Sequence, residues 1–140
     1  MALIRKGFGL AAVGAAAVMI SMGSAWADGP AGVVDISRAV GSGVLNGNLV
    51  GFTVTGPINE AASAAVVAAC QQAGAEECTR DEVTNDNLCV VSVGADDDSG
   101  VVSGGAGPTI EAARDDAYRH SQDAGAPLGP GARILASVCP

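Results

Sequence analysis

The chain has 140 residues, with 15 acidic against 7 basic side chains and a net charge of −8. That length holds one domain, or at most two very small ones, and the acidic balance excludes a basic nucleic-acid binder. Aromatic residues at 3%, charged residues at 16% and 20 glycines exclude a coiled coil and a highly charged disordered chain.

The first segment reads as an address. Arg5 and Lys6 stand ahead of an apolar run from Phe8 to about Ile20, followed by the small-residue exit Ser24-Ala25-Trp26-Ala27. Ala25 and Ala27 fit an A-x-A pattern, which predicts cleavage of an export signal between Ala27 and Asp28. The run is too short and too rich in Gly and Ala for a membrane anchor. The processed chain would keep five Arg, no Lys and all 15 acidic residues, so neither nucleic-acid binding nor stable membrane insertion is expected of it. Residues 28–48 form a Gly-rich segment in which Val33, Val34 and Ile36 begin a first strand, and the domain proper is placed at 49–140.

Residues 49–54 are β-rich and lead into an Ala-rich helix over 58–73. Strand candidates follow at 88–93 and 100–103, joined by the polar turn Ala95-Asp96-Asp97-Asp98-Ser99-Gly100. A second Ala-rich helix is expected over 109–124 and a last strand over 133–138. The two helices open on the same pattern, G-P-x-x-E-A-A, at Gly56 and Gly107, an offset of 51. Asn59 and Thr109 are the candidate N-caps, and Glu60 and Glu111 complement the helix dipole. Gly74 and Gly125, again 51 apart, suit the position just past each helix. The expected fold is therefore α+β: two β-β-α-β-like repeats sharing one antiparallel or mixed sheet.

Cys70, Cys78, Cys89 and Cys139 all follow the signal, and an even count in a small exported domain reads as two disulfides. A zinc site is the alternative, but there is no C-x-x-C pair and His120 is far from every Cys in sequence. Spacing alone leaves three pairings open. The repeat favours one of them: Cys70 and Cys78 map onto Ser121 and Gly129, so both are absent together from the second half. Joint absence fits Cys70–Cys78, which leaves Cys89–Cys139. Few large apolar side chains in so small a domain make such staples valuable.

The order of signal, strand, Ala-rich helix ending in Cys, a second Cys, Asn87-Leu88-Cys89 before an apolar strand, a second Ala-rich helix and the ending Ser137-Val138-Cys139-Pro140 resembles a known family. It is that of the small secreted actinobacterial proteins called domain of unknown function 4189. The likeness covers about residues 49–140. It implies a secreted, disulfide-stapled domain of mycobacteria and their relatives, and it implies no activity. This chain departs from the family in lacking Trp-rich strands and a Cys pair in the second half.

Four clusters could carry chemistry. The Asp96 to Gly100 turn has the D-x-D start of a calcium loop, with Asp96 and Asp98 as weak candidate ligands, but position twelve is Gly107 where an EF-hand needs Glu. The plainer reading is a solvated hairpin turn that blocks edge pairing. His120, beside Arg119 near a helix end, could be a general base, yet no G-x-S-x-G accompanies it, and the dipole accounts for its place. The pairs Asp115-Asp116, Glu76-Glu77 and Asp81-Glu82 could in principle serve glycoside hydrolysis, but adjacent carboxylates read as solvated faces or turns. Gly104-Gly105-Ala106-Gly107-Pro108 precedes a helix as a phosphate loop does, but it lacks the Lys and reads as a flexible connection. No cofactor is implied. The expected function is a secreted, non-catalytic interaction module whose partner is an unidentified protein or envelope component. A small hydrolase or inhibitor, and a structural envelope protein, are the alternatives.

Overall fold

A computed structural model describes residues 36–140. The cleavage site at Ala27 and Asp28, with Val33 and Val34, lies outside the described residues. The elements run β1 (Ser37–Leu45), β2 (Asn48–Gly56), α1 (Asn59–Gln72), β3 (Glu76–Thr84), β4 (Cys89–Gly94), β5 (Val102–Gly107), α2 (Ile110–Asp123) and β6 (Arg133–Val138). The fold is α+β with disulfide staples, and both halves have the order β-β-α-β.

The chain forms two three-stranded antiparallel sheets, ordered β2-β1-β3 and β5-β4-β6, rather than one shared sheet. The edge of β5 is closed to a further strand. The Ala106 N–H donates to Asp116 Oδ2 at 3.0 Å, and the Gly104 carbonyl bonds His120 Nδ1 at 2.6 Å. Those backbone groups would otherwise be open to a further strand, and α2 takes them.

The sheets lie face to face with one helix on each outer side. The third layer of contact, between the sheets, is formed by Val40, Val90 and Ala136 with Ala106 and Val138. Outside it, α1 covers the first sheet through Ala39, Val54, Ala62 and Val66. The second helix covers the other sheet through Val91, Val93, Ala113 and Ala117, with Leu128 from the following loop. Because a helix lies on one side and a sheet on the other, β1 and β4 are buried on both faces and their sequences do not alternate apolar with polar. Small residues permit the close approach. A Cβ on Gly104 would fall 2.1 Å from the Asp81 carbonyl oxygen, and one on Gly51 would fall 2.3 Å from that of Leu135.

Strand β1 is the centre of the first sheet and belongs to the domain, although it falls in the Gly-rich segment expected to precede it. Its turn to β2 is Asn46-Gly47, with φ of 53° and 81°, the two-residue type I′ geometry for which Asn-Gly is the strongest short signal. Likewise the Gly-rich stretch read as a flexible connection is strand β5, paired with β4 from Gly107↔Cys89 to Val102↔Gly94.

The helices each have 14 residues, and both end with Gly at positive φ, 85° at Gly74 and 78° at Gly125. The Ala75 and Ala126 N–H groups bond Cys70 and Ser121 carbonyls, completing a Schellman motif in each half. Their starts differ. Thr109 is an N-cap whose hydroxyl accepts the Ala112 N–H at 3.1 Å. Asn59 is not: Ile58 holds the cap position without a side-chain bond, and Asn59 Oδ1 accepts the Ser37 hydroxyl at 2.8 Å instead.

Candidate functional site

Polar side chains gather where β3 of one sheet faces β4 and β5 of the other. A register shift in the β1–β3 pairing, between Val40↔Glu82 and Gly41↔Arg80, leaves Asp81 as an extra residue. Such a bulge re-aims a side chain. Asp81 Oδ2 accepts the hydroxyl of Ser92 on β4 at 2.6 Å, and Oδ1 accepts that of Thr79 at 2.7 Å. Thr79 has one hydroxyl hydrogen, already given to Asp81, so the 3.4 Å contact with Ser42 has Ser42 as donor. Ser42 and Ser92 are fully buried on the two central strands, and this chain of bonds satisfies them.

The outer side of the seam holds Glu82 from β3 with Asp116, Arg119 and His120 from α2. Burial pushes the Glu82 carboxyl above its usual range; Asp116 adds to that, while His120 and Arg80 oppose it. Asp116 Oδ1 accepts from Arg119 at 2.7 Å and lies 3.5 Å from His120 Nε2. A carbonyl only accepts, so His120 Nδ1 carries the hydrogen in its bond to Gly104. Asp116 and His120 thus bracket β5, at Ala106 and Gly104. The carboxylate pairs Asp81-Glu82 and Asp115-Asp116 are not merely solvated faces: Asp81, Glu82 and Asp116 are half-buried, and only Asp115 is exposed.

The sequence-predicted residues fall in separate places. Cys70 at the end of α1 is bonded to Cys78 on β3, and Cys89 at the start of β4 is bonded to Cys139 after β6, which leaves no free cysteine. Asp96, Asp97 and Asp98 are exposed on the turn between β4 and β5. Asp97 Oδ1 accepts the Ser99 N–H at 3.0 Å, and the Ser99 bonds hold its carboxyl below the usual carboxylate range. Asp96 packs against Gly131, where a Cβ would come within 2.6 Å of its carboxylate. Among the described residues, no group of three or more His, Cys, Asp or Glu could hold a metal ion. None of their helices is long and apolar enough to cross a membrane.

A second feature lies on the solvent side of α2. An open groove of about 630 Å³ is lined by Arg114, Asp115, Tyr118, Arg119, Gln122 and Pro130. The Arg114 guanidinium stands over the Tyr118 ring, 5.6 Å from its centroid, and the Tyr118 hydroxyl donates to the Gly129 carbonyl at 3.3 Å. The sequence carries a faint signal for it: Arg114 and Tyr118 stand four residues apart on the helix, as do Asp115 and Arg119.

Residues 37–139 match the model of a family described as Domain of unknown function (DUF4189). No curated protein and no solved structure matches the chain.

Proposed function

The chain belongs to the DUF4189 family, and on that footing we propose that it is a secreted interaction module without a catalytic centre, acting in the cell envelope or on a host. The observation that carries this reading is the use made of its titratable groups. Asp81 ties two sheets together, and Asp116 and His120 close a strand edge. Side chains spent on such bonds are positioned for structure rather than turnover. Two disulfides suit an oxidising compartment, and the Arg5 to Ala27 segment supplies the route to it. The partner is a protein or an envelope component.

Chemical cross-linking of the tagged full chain in intact producing cells and their medium tests this reading. A defined cross-linked partner outside the cytoplasm is expected, on a chain that starts at Asp28 and has no free thiol by intact mass. A chain recovered from the cytoplasm with free thiols overturns it. A small hydrolase is the second reading, favoured by Glu82, a carboxyl raised by burial beside Asp116 and His120. Hydrolysis lost on His120→Ala or Asp116→Asn, in variants that remain folded, would decide for the enzyme.

A further inference from the structure

We propose that the groove on α2 binds an acidic side chain of a protein partner, its carboxylate held by Arg114 and Arg119 and its neighbouring apolar surface laid on Tyr118 and Pro130. This rests on the reading of the chain as an interaction module and names the chemistry that the module recognises.

The first argument is unused hydrogen-bonding capacity. Among the described residues Arg114 makes no ion pair and no side-chain hydrogen bond; its guanidinium stands over the Tyr118 ring. A guanidinium offers five donors in a planar fork, and stacking on an aromatic face orders it before a ligand arrives. Arg119 gives one nitrogen to Asp116 and is otherwise exposed. Two guanidiniums therefore border one groove.

The second argument is charge. The chain carries 15 acidic residues, yet two of its six Arg and its one Tyr line this groove. The positive charge without a carboxylate partner is confined to Arg114, since Asp116 holds Arg119, and so confined a charge suits a single anionic group. Asp115 lines the same groove and the net charge is −8, so a polyanion would meet repulsion along most of its length. One carboxylate gains the fork and avoids that penalty. Guanidinium and carboxylate match in bidentate geometry, and at physiological salt the screening length of about 8 Å leaves this contact largely intact while damping the distant acidic field.

The test is a heteronuclear NMR titration of the labelled, disulfide-bonded full chain with the acetylated, amidated peptide Ala-Glu-Ala, and with Ala-Gln-Ala as its neutral counterpart. The expected result is saturable shifts at the Arg114 and Arg119 Nε–H signals and at the Tyr118 ring, with the Gln peptide about tenfold weaker. Arg114→Gln should abolish the response, and Tyr118→Phe should keep it, because the ring face remains. Arg114 is exposed, and Tyr118→Phe keeps the ring that packs on the core, so both variants retain their fold, which dispersed spectra would verify. Equal binding of both peptides, or no shift at the groove, overturns the inference. Shifts confined to another face also overturn it and leave the interaction reading standing, since that reading is judged by cross-linking and not by these peptides.

Discussion

The two halves of the molecule share an outline and differ in what fastens it. Both run β-β-α-β, both have a 14-residue helix over their sheet, and both end that helix in a Schellman motif. In the first half the helix is tied to the third strand by the Cys70–Cys78 bond. In the second half Ser121 and Gly129 stand at the corresponding positions, and α2 is tied to the second strand of its half by hydrogen bonds. Asp116 and His120 hold β5 from outside, and Ser103 donates to the Ala117 carbonyl at 2.7 Å within the packed face. One backbone plan thus accepts either a covalent or a polar fastening. The second requires a helix with charged residues on one side, and the same helix then has Arg114 and Arg119 available to face solvent.

The covalent fastenings should break unequally. Cys89–Cys139 spans 50 residues and encloses the whole second half, whereas Cys70–Cys78 spans 8. In the chain-entropy account, removing the first costs about 4 kcal/mol and the second about 2.5. Urea unfolding of Cys89→Ala/Cys139→Ala and of Cys70→Ala/Cys78→Ala should preserve that order. The reverse order would mean that the short staple supports packing around buried Cys70 beyond its loop entropy.

The polar fastening between halves comes next. Asp81→Ala removes the acceptor of both Ser92 and Thr79 in the seam. The Ser92 hydroxyl, fully buried, then loses its acceptor, which should cost about 1–3 kcal/mol. Asp81→Asn, which keeps an acceptor oxygen, should cost less. A loss below 1 kcal/mol would show that water reaches the seam.

How much of this could be read from the residues follows the same division. The helices, their Gly caps and the last strand are local: propensity, Pro, Gly and a run of β-branched residues mark them. The strand at 37–45 escapes a reading based on alternation because a strand buried on both faces has none, and its Gly and Ser residues are chosen for close contact with Val66, Cys70 and Thr79. Its one local mark is Asn46-Gly47. The division into two sheets, and the gathering of Asp81, Glu82, Asp116 and His120, arise from a bulge and from contacts between elements far apart in sequence. No spacing rule encodes those. The Cys70–Cys78 pairing is different again, since comparing the halves made two missing cysteines visible.

The helix starts offer a smaller test of the same contrast. Thr109→Ala should cost about 1 kcal/mol, the usual worth of an N-cap hydroxyl. Ile58 occupies that position in the first half, is 55% exposed and caps nothing. Ile58→Thr should therefore stabilise, by about 0.5–1 kcal/mol. If thermal unfolding shows no gain, the side chain of Ile58 has a packing role that offsets the missing cap.

The subtlest difference is one of slope rather than size. Glu82 belongs to the first half but is buried against the second, and burial raises its carboxyl above the usual range; Asp116 reinforces this, and His120 and Arg80 oppose it. The folded chain then holds this proton more tightly than the unfolded chain. Between the ordinary Glu range and the raised value the native state binds more protons, so stability falls as pH rises through that window. Glu82→Gln keeps the shape and removes the titration. The variant should be more stable than the parent at neutral pH, and the gap should close on acidification, where the parent carries a neutral carboxyl too. Asp97 acts in the opposite sense, its stabilising ionised form being lost as pH falls through its lowered pKa, but it is common to both proteins and cancels in their difference. A gap that stays constant with pH would mean that Glu82 is hydrated in the native seam. The inner bonds of Asp81 would then be the part of that interface which excludes water.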